Sequence, residues 1–164
     1  MTHQLIIIGA GPGGYEVGVK AAKDGLQVLV VEARKLGGTC LNEGCIPTKC
    51  LCKNASLLQE LKEANAFGIE AGEVQFDLSK AIARKDGIVE QLASGIATLM
   101  KTPGITLVQG KARFVDQHTI EVEGTQYSAP NIIIATGSVT KFLPIEGAHD
   151  EGVVTATEML KLTQ

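Results

Sequence analysis

The stretch Leu5-Ile-Ile-Ile-Gly9-Ala-Gly11-Pro-Gly-Gly14 decides the fold of this 164-residue chain. Its four consecutive apolar residues predict a strand that is covered on both faces, as in a parallel sheet. The pattern G-x-G-x-x-G follows at once, and a run of small, helix-compatible residues then continues to Lys23. In a dinucleotide-binding unit, Gly9 would permit a tight turn, Gly11 would let a pyrophosphate approach the backbone, and Gly14 would allow close packing of helix on strand. The stretch therefore predicts the first strand, phosphate loop and first helix of an α/β fold.

The next apolar run ends at an acidic residue. Gln27 to Val31 predicts a second buried strand, and Glu32 follows it, eighteen residues after Gly14. A carboxylate at this point can accept hydrogen bonds from ribose hydroxyls, and it disfavours a 2′-phosphate. An ordinary glycine turn is the alternative explanation of the loop. The placement of strand, helix and acid together favours dinucleotide binding.

Two cysteines at C-x4-C spacing lie in the segment Gly37-Gly-Thr-Cys40-Leu-Asn-Glu-Gly-Cys45-Ile-Pro47-Thr-Lys49. The glycines allow the backbone to bring the two thiols within bridging distance, and Pro47 suits the first turn of a helix predicted from Pro47 to Ala64. A thiol at the positive end of a helix forms the thiolate more readily than a free cysteine does. Lys49 lies on the same helix face as Cys45, where it can contact a thiolate or an anionic cofactor. The segment is typical of a redox site.

Other interpretations of the cysteines are weaker. A zinc site would draw on Cys50 and Cys52 as well, but zinc ribbons use closer pairs separated by a long gap, and no histidine lies nearby in sequence. We interpret Cys50 and Cys52, inside the predicted helix, as packed or partly exposed thiols. We therefore predict no metal site.

The rest of the pattern completes a single α/β domain over residues 1–164. Asp77 is predicted to cap a long helix, and Ile105 to Val108 predicts a third buried strand. Alternation from Ala112 to Tyr127 predicts three short antiparallel strands, and Asn131 to Thr136 predicts a last buried strand. A final helix is predicted to begin within Ala156 to Leu162.

Composition narrows the class of protein. With 45% hydrophobic and 20% charged residues the chain is globular, and a net charge of -3 gives no basic surface for nucleic acid. The opening Met-Thr-His-Gln and the short run that follows predict neither a signal peptide nor a membrane segment, so we expect a cytoplasmic protein without a membrane partner. In that compartment cysteines indicate catalysis or metal binding more than a structural disulfide framework.

Taken together, the phosphate loop, Glu32, the Gly37 to Lys49 segment and Ile132-Ile-Ile-Ala-Thr-Gly-Ser138 resemble the flavin-dependent pyridine nucleotide–disulfide oxidoreductases. The cysteine segment is most similar to that of the dihydrolipoyl dehydrogenases, since the related glutathione and mercuric reductases usually carry valines where Leu41, Glu43 and Ile46 stand here. The resemblance implies a Rossmann-like FAD-binding domain with a parallel sheet, flanking helices and a small antiparallel β-meander. A related flavoprotein disulfide reductase, of the glutathione or mercuric reductase kind, and a stand-alone thiol redox sensor are the alternatives.

The resemblance also implies a role for each site residue. Cys40 would exchange with a dithiol substrate, Cys45 would lie against the flavin, and Lys49 would lie beside the flavin ring. Glu32 would bind the adenosine ribose, and the backbone of Ala112 would contact the adenine end. The full set of cofactor-binding residues that it implies is Gly9, Gly11, Gly13, Gly14, Glu32, Ala33, Gly38, Thr39, Lys49, Ala112, Thr136, Gly137 and Ser138.

An enzyme of this kind is larger than the chain. The resemblance implies that it oxidises dihydrolipoamide, or the lipoyl domain of a 2-oxoacid dehydrogenase or glycine cleavage complex, and reduces NAD as a homodimer. Its NAD-binding domain, its dimerisation domain and its His–Glu acid–base pair have no counterpart in these 164 residues. We therefore expect the chain to be an N-terminal portion that is inactive alone.

Overall fold

The computed structural model describes residues 3–162. Four parallel strands form its central sheet: β1 (Leu5–Ile8), β2 (Val28–Glu32), β3 (Ile105–Gln109) and β7 (Asn131–Ile134). Their order across the sheet is β3-β2-β1-β7. Three further strands, β4 (Ala112–Phe114), β5 (Thr119–Val122) and β6 (Thr125–Ser128), form a separate antiparallel sheet in sequential order. The predicted α/β fold with a small β-meander is confirmed.

Both faces of the two central strands are covered. Successive side chains of a strand point to opposite faces, so Ile7 and Val30 enter one core cluster while Ile6 and Leu29 enter another. The first cluster includes Ala22 of the first helix, and the second includes Ile120 of β5. Helices therefore cover one face and the small sheet covers the other, which explains why the sequences of β1 and β2 are continuous apolar runs.

The structure corrects the expected burial of the two outer strands. β3 and β7 were predicted as buried strands, but Leu107 in β3 is 38% exposed and Ile134 in β7 is 66% exposed. Each lies at an edge of the central sheet and has one neighbouring strand in residues 3–162. An apolar run indicates a strand, but it does not show what lies beside that strand, and β7 also ends at Ile134 rather than Thr136.

Among residues 3–162, five α-helices surround the sheets, and a 3₁₀ turn at Ala64–Phe67 follows the third. They are α1 (Pro12–Lys23), α2 (Gly38–Glu43), α3 (Cys45–Glu63), α4 (Leu78–Leu99) and α5 (Ala156–Met159). The predicted cap of α4 is confirmed, because Asp77 Oδ1 accepts the N–H of Lys80 at 3.1 Å. Helix α2 was missed, and α3 begins at Cys45 rather than at Pro47. Within the described residues, the helices lack the combination of length and hydropathy that a bilayer span requires.

Gly87 in α4 offers a test of the helix assignment. A Cβ at Gly87 would meet no atom within 4 Å, and the residue is exposed to solvent near the middle of the helix. We expect Gly87→Ala to raise the free energy of unfolding by about 1 kcal/mol, because alanine loses less backbone entropy than glycine on folding. Urea denaturation followed by circular dichroism measures this change. A loss of stability would mean that this face of α4 is covered.

Candidate active site

The predicted cofactor residues follow the carboxyl ends of parallel strands. Gly9 follows β1, Ala33 follows β2 and Thr136 lies two residues after β7, while Ala112 begins β4 shortly after β3 ends. Parallel strands end at the same edge of a sheet, and ligands of open α/β folds bind outside that edge. The topology therefore gathers segments from distant parts of the sequence at one edge.

The phosphate loop turns sharply against β7. Gly9 has φ 109°, and its N–H donates to the carbonyl oxygen of Val31 at 2.7 Å. A Cβ on Gly9 would lie 2.8 Å from the carbonyl carbon of Ala135 and nearer still to its oxygen. A Cβ on Gly14 would lie 2.9 Å from the carbonyl carbon of Gly9 and would overlap that carbonyl oxygen. Both positions therefore exclude any side chain.

The outer side of the same loop is open. Gly11 precedes α1, and its carbonyl oxygen accepts the N–H groups of Gly14 and Tyr15, each at 2.9 Å. A Cβ on Gly13 would meet no atom within 4 Å, so the space beside the first turn of α1 is free. The N-terminus of a helix attracts negative charge through its N–H groups and its dipole. The loop residues fit the pyrophosphate of a dinucleotide.

Glu32 braces the loop as well as facing the edge where a ribose would bind. Its side chain is buried, with 8% of the residue exposed. One carboxylate oxygen accepts the N–H of Ala10 and the other accepts the N–H of Arg34, each at 2.7 Å. Each oxygen can accept a further hydrogen bond, so the two structural bonds leave acceptor capacity for a ribose hydroxyl. Sequence reasoning predicted a ligand here and missed the structural bonds, since they depend on how the loops fold back.

The two predicted redox cysteines form a disulfide. Cys40 lies in α2 and Cys45 is the first residue of α3, and their Cα atoms are 4.7 Å apart. The nineteen residues of α3 place the positive end of a long helix at Cys45. Lys49 lies one turn further along α3 and is exposed. The other two cysteines are free thiols within α3, as predicted. Cys50 is buried and Cys52 is exposed.

The disulfide segment packs directly on the phosphate loop. A Cβ on Gly38, whose φ is 62°, would lie 2.8 Å from Gly11 Cα, and the N–H of Gly37 donates to the carbonyl oxygen of Ala10 at 2.9 Å. Asn42 Nδ2 donates to the carbonyl oxygens of Leu36 and Gly38, each at 2.9 Å, and so holds the start of α2. The redox pair and the phosphate loop therefore belong to one site. Asn42 was missed because its acceptors are backbone atoms that only the folded turn brings close.

Glu43 is a second residue that sequence reasoning did not assign to the site. Its Oε1 accepts from Arg34 Nη2 at 2.9 Å and from Lys161 Nζ at 3.2 Å. Burial raises the pKa of Glu43, but the hydrogen bonds and charges of Lys161 and Arg34 outweigh it and hold the pKa below its usual value. The carboxylate is therefore anionic at neutral pH. The available signal was a charged residue between the two redox cysteines.

The other predicted residues are exposed or half-buried. Thr136, Gly137 and Ser138 are exposed in the connection after β7, and Thr39 and Ala33 are also exposed. Ala112 is half-buried at the start of β4 and packs against the core cluster beneath the small sheet. Within residues 3–162, no three His, Cys, Asp or Glu side chains are grouped to hold a metal ion.

A dinucleotide loop packed on a disulfide defines the class of a nucleotide-dependent disulfide oxidoreductase. Residues 3–164 match the protein family described as pyridine nucleotide-disulphide oxidoreductase. The chain belongs to this family.

Relatives and a solved structure agree with this assignment. The chain is 42% identical over 165 residues to the dihydrolipoyl dehydrogenase of Acholeplasma laidlawii, an alignment that covers 98% of the chain and 49% of that protein. It is 44% identical over 164 residues to the dihydrolipoyl dehydrogenase of Thermus scotoductus, covering 99% of the chain and 35% of that protein. The HOCl-induced flavoprotein disulfide reductase RclA from Escherichia coli superposes with a TM-score of 0.82 at 32% identity, covering 99% of the chain and 34% of RclA. The chain thus spans between 34% and 49% of the length of these proteins.

Proposed function

We propose that residues 1–164 are an FAD-binding domain that carries the redox disulfide of a dihydrolipoyl dehydrogenase. The observation that carries this proposal is the packing of the Cys40–Cys45 segment on the phosphate loop through Gly38 and Gly11. That contact puts a reducible sulfur pair and a dinucleotide-binding backbone side by side. Similarity to two dihydrolipoyl dehydrogenases supports the choice within the family.

In this proposal the loop and its neighbours hold the cofactor. The backbone of Gly9 to Gly14 holds the pyrophosphate, and Glu32 accepts from the adenosine ribose. A bound FAD would supply an acceptor for the two electrons of the dithiol and a hydride donor for NAD. The other residues proposed to line the cofactor are Ala33, Gly38, Thr39, Lys49, Ala112, Thr136, Gly137 and Ser138.

The thiol chemistry belongs to the chain itself. A substrate thiolate attacks the sulfur of Cys40, so the Cys40–Cys45 bond breaks and Cys45 leaves as a thiolate. The N-terminus of α3 stabilises that anion. The second substrate thiolate then attacks the substrate sulfur of the mixed disulfide, which closes the cyclic disulfide and releases Cys40. The substrate dithiol loses two electrons and two protons; the two cysteines gain both electrons, and the protons pass to solvent or to the released sulfur of Cys40.

The whole protein is proposed to act in a larger setting. Dihydrolipoamide, or the lipoyl domain of a 2-oxoacid dehydrogenase or glycine cleavage complex, would be its dithiol substrate, NAD its acceptor, and a cytoplasmic homodimer its working form.

The similarity to RclA favours a second candidate, a flavoprotein disulfide reductase for another acceptor. The substrate preference of the longer protein distinguishes the two, since only the first candidate reduces NAD with dihydrolipoamide.

FAD retention tests the cofactor assignment. The purified chain is incubated with excess FAD or FMN and passed through gel filtration, and the flavin that elutes with the protein is quantified. We expect one FAD per chain and FAD affinity about a hundredfold above that for FMN, which lacks the pyrophosphate and the adenosine ribose that the loop and Glu32 would bind. Equal retention of both flavins, or of neither, would contradict the assignment.

A further inference from the structure

We propose that Glu43 is a positioning residue for the Cys40–Cys45 disulfide. Glu43 ends α2 and stands between the two cysteines in sequence, and its carboxylate joins Arg34 to Lys161. We call this ion-paired group, Arg34, Glu43 and Lys161, the carboxylate clasp. It holds the end of α2 and thereby keeps the two sulfurs close enough to bond. The inference rests on the proposed function only in taking Cys40 and Cys45 as the redox pair.

Arg34, one cation of the clasp, is held by residues that also hold the phosphate loop. The backbone N–H of Arg34 donates to Glu32 Oε1 at 2.7 Å, and its carbonyl oxygen accepts from Gln109 Nε2 at 2.9 Å. Glu32 in turn holds Ala10 in the phosphate loop. Arg34 therefore starts from a fixed backbone, and its pairing with Glu43 ties the disulfide segment to the loop that follows β2.

Lys161, the other cation of the clasp, is anchored next to α5, the last described helix. Lys161 follows α5, whose N-terminus is closed by a capping box between Thr155 and Glu158. Lys85 Nζ donates to the carbonyl oxygen of Leu160 at 2.8 Å, and the Lys85 side chain is only 6% exposed. The N–H of Lys161 also donates to the carbonyl oxygen of Glu158 at 2.9 Å. Lys161 thus reaches Glu43 from a segment that is fixed on α4.

A short helix next to a glycine needs such a support. Helix α2 has six residues, too few to be stable without tertiary contacts, and Gly44 separates it from α3. The Glu43 side chain is 15% exposed, while those of Arg34 and Lys161 are 67% and 62% exposed, so the ion pairs are shielded from water on the side of the carboxylate only. Without the clasp, the end of α2 is freer to fray and the two thiols meet less often. The disulfide then becomes easier to reduce, since its stability depends on the effective concentration of one thiol at the other.

Charge alone would give a different pattern of effects. Removing Glu43 leaves Arg34 and Lys161 without their counter-charge, and the added positive charge also favours the thiolates of the reduced state. Removing Lys161 takes away a cation, which by charge alone favours the disulfide. Loss of positioning, in contrast, favours the reduced state in both variants. The two substitutions together therefore separate positioning from electrostatics.

The test is the thiol–disulfide equilibrium of the chain in glutathione buffers. Two glutathione thiols form one glutathione disulfide, and the Cys40–Cys45 bond takes up two electrons and two protons. Trypsin cleavage after Lys35 and Lys49 yields residues 36–49 as one peptide, which separates this pair from Cys50 and Cys52 for alkylation and mass spectrometry. The variants are Glu43→Gln, Lys161→Met and the control Glu121→Gln, whose ion pair with Arg113 at 2.9 Å lies on the small sheet.

We expect the equilibrium constant for reduction to rise about tenfold in Glu43→Gln and about threefold in Lys161→Met, with Glu121→Gln within about twofold of the unaltered chain. The variant that carries both Glu43→Gln and Lys161→Met is expected to resemble Glu43→Gln, because removing Glu43 alone already breaks both ion pairs of the clasp. An unchanged equilibrium in Glu43→Gln, or opposite shifts in the two single variants, would overturn the proposal. If Glu43→Gln fails to fold by circular dichroism, the exposed Lys161 still gives the decisive variant. Failure of the unaltered chain to form the disulfide would instead refute the redox pair of the proposed function.

Discussion

Replacing Gly14 by alanine is expected to destabilise the fold by roughly 3 kcal/mol and to abolish FAD retention. A Cβ at Gly14 would overlap the carbonyl oxygen of Gly9; the oxygen is a backbone atom and the backbone fixes the position of the Cβ, so no rotamer change can relieve the contact. Helix α1 would have to move away from β1, and the phosphate loop between them would lose its shape. Urea denaturation gives the change in stability, and gel filtration with FAD gives the change in retention.

Gly13→Ala is the matched control for the stability of Gly14→Ala. It adds the same methyl group one residue earlier in the same helix, where a Cβ meets no atom within 4 Å. We expect its free energy of unfolding to equal that of the unaltered chain or to exceed it slightly, since alanine favours the helix. Similar stability losses in both variants would contradict close packing at Gly14 as the cause.

Glu32→Ala is also expected to cost roughly 3 kcal/mol of stability. The substitution removes both acceptors at once, and Ala10, which is 0% exposed, then keeps a buried N–H without a partner. Glu32→Gln should cost less, because an amide retains one acceptor oxygen but presents N–H groups to the other donor. Both variants should also weaken FAD binding, since the ribose loses its carboxylate.

The control for Glu32 is Glu90→Gln, which changes an exposed carboxylate on α4. Surface changes of this kind usually alter stability by less than about 0.5 kcal/mol. Equal stability of Glu32→Ala and Glu90→Gln, measured by thermal and urea denaturation, would mean that the two hydrogen bonds of Glu32 do not support the loop. A stability loss with unchanged FAD affinity would keep the bracing role and refute the ribose role.

The parts of the fold that the sequence predicts well are those with local signals. The apolar run Leu5 to Ile8 fixes β1 to the residue, and Asp77 marks the beginning of α4, because strand patterns and caps depend on neighbouring residues. The alternation after Ala112 likewise predicts the small antiparallel sheet. The disulfide follows from cysteine spacing and flanking glycines, which are also local features.

The parts that were missed depend on distant contacts. Helix α2 has no apolar periodicity, and it is held by Asn42 and by packing on Gly11. The exposure of β3 and β7 depends on what lies beside them in the sheet. The carboxylate clasp joins Glu43 to Lys161, 118 residues away, and no short-range sequence pattern predicts such a pair. The site residues with a motif were therefore predicted, and the residues that hold the motif in place were not.

The most direct test of the account is the absorbance of the FAD-loaded chain after mild reduction of Cys40–Cys45. We propose that Cys45, once reduced, would lie as a thiolate against a bound flavin, as the family resemblance implies. We expect a long-wavelength thiolate–flavin band in the unaltered chain and in Cys52→Ser, whose serine replaces an exposed thiol on the same helix. The band should vanish in Cys45→Ser while FAD stays bound. Bound FAD with no band in the unaltered chain, or a band that persists in Cys45→Ser, would contradict the account.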